Sequence, residues 1–506
     1  MGWQRDHMKQ EALQRNGIWT FTTYFSEGFP FVIIRTVSGV FLRDMKVSLE
    51  GIGLTPLYGL PWILKFLWGP QVDEYSSKRR WMLGMQSALF FVFLMAAIFA
   101  PLSINVPAIA VLFFLGSILA ATHDIAIDGY YMEALDPEGQ AKYVGHRVMA
   151  YRIAMMTGTA VIVTVGTHAG WGLAFFMAAF IFGLFLLYHL LFLKEVETIE
   201  APVRTLLRRA LKTKTMAGGI LIVLVVLALR AFFQSEIYTG LVENIPLLGK
   251  IRFPHWIALA LLTGLVTVGL LRNKIKAVIL RDPDSYYSKA FLMFMEREKI
   301  SIILPFIIFL RGGEWTLTTM VAPFIVDLGI KKHYGWISGL VGLPMAVVGA
   351  MLGGWLISRY GMKRTIWPFI LAQNITNLIY MGLAAHLSRF LALNTQAAAT
   401  VPLGGFNLAL IGCVHGFDQF ASGLGNALLM TYLMRICHPH YKAAHYAIGS
   451  GLMNVSGLFT GVMSGFVAGW LGYAWLFGLS FLVSVPAMVL IPFLPYLERN
   501  HPPASS

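Results

Sequence analysis

The chain has 506 residues, of which 57% are hydrophobic and only 13% charged, and its mean hydropathy is +0.67. That composition excludes an ordinary soluble domain and defines a polytopic membrane protein. A net charge of +14 raises nucleic acid as a partner, and the placement of the cations decides against it.

The apolar runs are roughly 18 to 25 residues long, the length a helix needs to cross about 30 Å of hydrocarbon. They lack the alternation of barrel strands, so the fold class is all-α. Fourteen spans are predicted. The first six are Ile18 to Val40, Leu49 to Leu67, Trp81 to Leu102, Pro107 to Tyr131, Val144 to Gly166 and Trp171 to Leu193. Two more, Met216 to Gln234 and His255 to Leu271, are followed by Ile300 to Val326, Tyr334 to Ile357, Ile366 to Ala385, Leu403 to Leu433, Ala443 to Val467 and Leu471 to Leu494.

With the N-terminus inside, 27 of the 39 Lys and Arg fall on cytoplasmic ends and loops, including Lys78 to Arg80, the run Arg204 to Lys214, and Arg272 to Lys276. The opposite loops hold 7, and 5 lie within or beside spans. This is the positive-inside pattern with both termini cytoplasmic, and the excess charge points to anionic membrane lipid rather than nucleic acid. The polar N-terminus leads straight into a full span, so no cleaved signal peptide is expected. Cys413 and Cys437 lie in or near one helical segment, which disfavours a disulfide. His438, His440 and His445 sit in a basic turn without a thiol or carboxylate framework and read as a solvated loop; no metal or cofactor is expected.

Internal repetition organises the chain. GPQVDEYSSKRR at Gly69 to Arg80 is echoed by GGWLISRYGMKR at Gly353 to Arg364, each with a glycine, three residues, a short polar side chain and a basic turn. Asp124 in the fourth span matches Asp418 in the twelfth. Two six-helix halves, residues 1–199 and 300–506, with an inserted pair of helices in 200–299, account for this pattern. It is the repeat architecture of secondary transporters, whose small-molecule site lies where the halves meet.

Charged residues inside spans cost at least about 2.5 to 3.5 kcal/mol each and mark wet cavities or partners. Asp124 and Asp128, at i and i+4, share a helix face, and His123 adjoins them; these three and Glu27, beside a Gly-x-Pro break, are the candidate proton-coupling groups. Arg152 on the fifth span is the expected counter-charge. Arg311 and Glu314, spaced i and i+3, form a second candidate pair, and Asp418, Lys65, Arg35 and Tyr131 complete the expected cavity. Lys65 and Arg35, nearer the span ends, could instead snorkel, and Arg230 is read as an interface anchor. Asp73, Arg79 and Arg80 at the cytoplasmic mouth are read as gating residues. The glycines at 457, 461, 465 and 469 form a helix-packing stripe.

KFLWGPQVDEY, ATHDIAIDGYYMEAL, the AYRIAMM run at Ala150, and FASGLGNALLMTYL with YKAAHYAIGSGL resemble AmpG-type permeases, in the peptide and acetyl-CoA transporter branch of the major facilitator superfamily. The resemblance runs from the first span to the last and includes the two inserted helices. It implies a monomeric, proton-driven importer in the bacterial inner membrane, carrying N-acetylglucosaminyl-anhydromuramyl peptides from cell-wall turnover. Within it, Arg152 matches an arginine of a YR pair, and Arg311 and Glu314 resemble a Lys and Asp pair. The chain departs from the family in the cavity region: Glu27 replaces a small residue, His123 a glutamine and Tyr131 a lysine.

Other activities fit less well. A prenyltransferase would need two facing acidic clusters around magnesium, whereas Ser422 stands where the second half would need a carboxylate. An intramembrane aspartyl protease needs its two Asp on facing helices, and no G-x-S-x-G nucleophile is present. Acetyl-CoA, with phosphates for Arg35, Lys65, Arg152 and Arg311 to hold, is the alternative cargo, and a non-transporting sensor of the same fold is the remaining reading.

Overall fold

The computed structural model describes residues 2–65, 68, 72, 76–102, 105–135, 137–196, 286–396, 402–437 and 442–498, with isolated positions between 232 and 277. Asp73, Arg230 and nearly all of the inserted pair, Met216 to Gln234 and His255 to Leu271, lie outside the described residues. The helices are α1 (Gly2–Val32), α2 (Ser38–Asp44), α3 (Leu49–Ile52), α4 (Leu60–Leu64), α5 (Lys78–Phe99), α6 (Asn105–Ala134), α7 (Pro137–Met156), α8 (Val163–Ala169) and α9 (Trp171–Phe192). From residue 286 onward come α10 (Tyr286–Met295), α11 (Ile300–Leu310), α12 (Gly312–Asp327), α13 (Leu343–Tyr360), α14 (Met362–His386), α15 (Ser388–Gln396), α16 (Gly405–Ile436) and α17 (Lys442–Leu490). No strand occurs among the described residues.

Among the described residues, eight helical stretches are long and apolar enough to cross a membrane. Of the fourteen predicted spans, two lie almost wholly outside the described residues, and several others differ in form. The predicted second span is broken, because Pro56 and Pro61 open a 3-10 turn, Thr55–Gly59, and the short α4, each proline removing a donor. The predicted thirteenth and fourteenth spans form one element, α17, bent at Gly472, whose φ of 80° suits a residue without a Cβ. Helices α14 and α16 have the length but carry more polar side chains, and the inserted pair is outside the described region. The ninth span divides at Arg311 into α11 and α12.

One bundle forms as α1 packs on α7 and α6 while α5 packs on α6 and α9; in the other, α13 packs on α16, and α11, α12 and α14 pack on α17. Close approach is built in: a Cβ on Gly349 would lie 2.0 Å from the Phe420 carbonyl oxygen. The bundles meet where α2 touches α12, α3 touches α17, and two π-helical segments, Thr157–Ile162 and Gly335–Gly342, cross. The 457 to 469 glycine row faces this interface, with Trp315, Pro56, Gly53 and Glu50 seated against it in turn. Exposed Phe176, Phe180, Leu184, Leu187 and Leu191 on the outer side of α9 present the apolar surface a bilayer requires.

Candidate functional site

Six of the predicted residues, Glu27, Lys65, His123, Asp124, Asp128 and Tyr131, converge between α1, α4 and α6. Lys65, the residue that ends α4, pairs with Asp124 of α6. Glu27 of α1 approaches Asp124 closely enough for carboxyl-to-carboxyl hydrogen bonding, and its Oε2 is buried without a partner among the described residues. One turn along α6, Asp128 accepts from the Tyr24 hydroxyl at 2.8 Å and from Arg147 Nη2 of α7 at 2.8 Å. The Arg147 guanidinium lies 4.2 Å from the Tyr24 ring centre and 4.7 Å from that of Tyr131, a double cation–π seat. His123 is fully buried behind Asp124 against Phe182, with neither ring nitrogen partnered among the described residues. A second buried histidine, His189, bridges Thr22 and Gln86 at 3.0 Å and 2.9 Å.

This arrangement corrects the expectation for Arg152. The cation that meets Asp128 is Arg147, and the one that meets Asp124 is Lys65. Arg152 lies five residues beyond Arg147, about 140° around the helix, and so faces elsewhere. Its polar contact is Met155 Sδ at 4.0 Å, and it has no carboxylate partner among the described residues.

Across the bundle interface, α12 begins at the Arg311 break. Arg311 pairs with Glu314 at 2.6 Å and also donates to Asn426. Glu314 in turn accepts from Ser422 at 2.5 Å and from Gln373. Asp418 is buried beside Gln419, whose Nε2 donates to it at 3.2 Å, and the Tyr380 hydroxyl meets His415 Nδ1 at 2.8 Å. The polar partners Gln373, Ser422 and Asn426 were missed from sequence, although their recurrence on one face of α14 and α16 is visible there.

A cavity of about 290 Å³ lies between the bundles, lined by Arg35, Arg152, Arg311, Glu314, Trp315 and His415 among others. A second compartment of about 500 Å³ shares Arg152, Arg311 and Trp315 with it and reaches Glu27, Tyr24 and Arg147. Arg35 enters the first over the rings of Phe31 and Trp315, at 5.8 Å and 5.9 Å, and donates to the Pro56 carbonyl at 3.2 Å. Gly59 makes room for it, since a Cβ there would overlap the guanidinium at 1.5 Å.

One end of the path is tied shut. Arg43 forks onto Asp327 at 2.6 Å and 2.5 Å, Tyr473 donates to the same carboxylate at 2.7 Å, and Lys331 pairs with Asp44 at 2.5 Å. Among the described residues, Arg43 with Asp327 and Asp44 with Lys331 are the ion pairs that cross between the bundles there. At the other end Arg79 donates to the Leu193 carbonyl at 2.6 Å and Arg80 pairs with Glu195 at 3.0 Å, both within their own bundle.

Two helical bundles around a charged cavity, clamped across one end, define a secondary transporter of small molecules. Residues 18–414 match the Major Facilitator Superfamily, and the chain belongs to it. It is similar to the anhydromuropeptide permease of Escherichia coli strain K12, 22% identical over 474 residues that cover 92% of this chain and 77% of that one. A Rickettsia conorii chain named AmpG 4 is 23% identical over 479 residues, 92% of this chain and 93% of that one. A crystal structure of peptide transporter POT in complex with sulfate superposes with a TM-score of 0.65 at 11% identity, covering 95% and 94% of the two chains. The protein is thus a multi-pass membrane transporter, not an enzyme, and its resemblance to AmpG-type permeases extends over nearly its whole length.

Proposed function

We propose that the chain is a proton-coupled importer of a cell-wall-derived muropeptide in the bacterial inner membrane, acting as a monomer with both termini cytoplasmic. Residues 1–199 and 300–506 form the two moving halves, and 200–299 hold the inserted helices. The carrying observation is the central cavity, where Arg35 and Arg152 face the lumen without a carboxylate partner among the described residues while a carboxyl-rich cluster adjoins it. The peptide carboxylates of a muropeptide suit those guanidiniums. Its sugar rings suit Trp315 and Phe31, and the indole N–H of Trp315 is buried without a partner. Similarity to the E. coli anhydromuropeptide permease supports the same cargo.

The acidic cluster supplies the coupling. Among the described residues, the ion pairs of Glu27, Asp124 and Asp128 are those with Lys65 and Arg147, so with all three carboxyls ionised this paired cluster carries one excess negative charge. One proton, shared between Glu27 and Asp124, restores neutrality in a low-dielectric setting. Losing it frees Lys65 to redistribute between the two carboxylates, which biases α1 and α4 against α6 and the cavity toward one opening. By the positive-inside reading, the clamped end is periplasmic, so the cavity opens inward.

Uptake into proteoliposomes under an imposed proton gradient tests this, with labelled anhydromuropeptide compared with labelled acetyl-CoA. The expected result is muropeptide accumulation that Glu27→Gln and Asp128→Asn abolish, with cargo exchange retained in Glu27→Gln. Accumulation of acetyl-CoA alone would overturn the cargo, and unchanged accumulation by both variants would overturn the coupling site.

A further inference from the structure

The second repeat of the basic turn does something the first does not. In the first, Asp73 stands between Gly69 and the cations; in the second, Ser358 occupies the corresponding place, so the turn lacks that carboxylate. Around it, between α13, α14 and α16, lies a cavity of about 860 Å³ lined by Arg359, Lys363, Arg364 and Arg435. Its one carboxylate among the described residues, Glu498, is engaged by Lys363 at 2.5 Å. Arg435 donates to the Leu497 carbonyl at 2.8 Å. Arg359 and Arg364 have no carboxylate partner among the described residues, which makes their side of the basin positive.

Its position on the two helices identifies the occupant. Met351, Trp355 and Arg359 follow one another at i, i+4 and i+8 on α13, and the first two are 72% and 54% exposed, as lipid-facing residues are. On α14, Arg364, Trp367, Leu371 and Ile375 share a face, the last three again exposed. Both apolar stripes therefore end in arginine, with Trp355, Tyr360 and Trp367 at the boundary where aromatic side chains mark headgroup depth. The Arg359 guanidinium sits 5.9 Å from both the Trp355 and Tyr360 ring centres, which holds it at that level. A ligand here has its tails along α13 and α14 and a phosphate among the arginines.

We propose that this basin binds the headgroup of an anionic phospholipid through its phosphodiester, with Arg359 and Arg364 as the principal contacts. The site is separate from the transport cavity and does not depend on the cargo assigned above. Native mass spectrometry of the full chain in detergent, titrated with phosphatidylglycerol, phosphatidylcholine and inorganic phosphate, tests it. Phosphatidylglycerol is expected to be retained preferentially, and Arg359→Gln/Arg364→Gln to weaken that retention by about tenfold or more, since each surface cation contributes about 1 kcal/mol. Arg389→Gln, on α15 at the opposite end, should leave it unchanged, and the melting temperature of each variant reports folding. Equal retention of the two lipids, retention indifferent to the double variant, or displacement of lipid by millimolar inorganic phosphate would each overturn the proposal.

Discussion

At the scale of single residues the cavity divides its cations by what they answer to. Lys65 and Arg147 answer to carboxylates of the protein, whereas Arg35 and Arg152 have no carboxylate partner among the described residues and are the cations we propose for the cargo. Arg152→Gln should therefore raise the KM for an anionic cargo about tenfold to a hundredfold, the worth of one charge-assisted hydrogen bond, while the dependence on the proton gradient is kept; initial uptake rates across cargo concentrations measure it. Arg147→Gln should do the reverse, weakening coupling with little change in KM, because it strands Asp128. Charges in apolar runs are conspicuous, which is why Glu27, Asp124, Asp128 and Arg311 stood out in the sequence. Their pairing was less legible. Arg147 sits at the cytoplasmic end of the predicted fifth span, and only the register of the α6–α7 hairpin sets it, rather than Arg152, against Asp128.

At the scale of helices, small residues set the distances that make the site possible. Gly349 and Gly423 bring α13 and α16 into backbone contact, each with a carbonyl where a side chain would go. Gly349→Ala should lower stability by about 1–3 kcal/mol through overpacking, read as a lower melting temperature in detergent, whereas Gly382→Ala, with open space around it, should be neutral or slightly stabilising. Span lengths were legible because hydrocarbon thickness fixes them. Helix interruptions were legible only in part. The prolines at 56 and 61 announce a break, but the division at Arg311 comes from Gly312 and Gly313 pressed against α17, with a Cβ on Gly313 only 2.4 Å from the Ser480 carbonyl. The π segments at 157–162 and 335–342 pack against each other between the bundles, a contact that no local pattern encodes.

For the whole molecule, the repeat in the sequence predicts two halves but says nothing of which end of the path is closed. That choice rests on a few contacts between distant segments, Arg43 with Asp327 and Asp44 with Lys331, whose sum is only a few kcal/mol. Asp327→Asn removes the partner of both Arg43 and Tyr473 and should favour opening at that end. With Cys413 and Cys437 replaced by serine, a Thr36→Cys probe in the cavity should then react about tenfold faster with an impermeant thiol reagent applied from that side, a shift of about 1.4 kcal/mol. The three carboxyls set against two cations have an electrical consequence. If one proton accompanies each cargo molecule, a cargo bearing a single negative charge crosses with no net charge, and the membrane voltage does no work on it. Each further negative charge would travel against an inside-negative voltage at about 2.3 kcal/mol per 100 mV. Uptake of a singly charged cargo should thus be unchanged when a potassium diffusion potential is imposed at fixed pH, and uptake of a doubly charged one should slow; under the proposed coupling, the count of carboxyls at Glu27, Asp124 and Asp128 sets the charge of the cargo that the cell can concentrate.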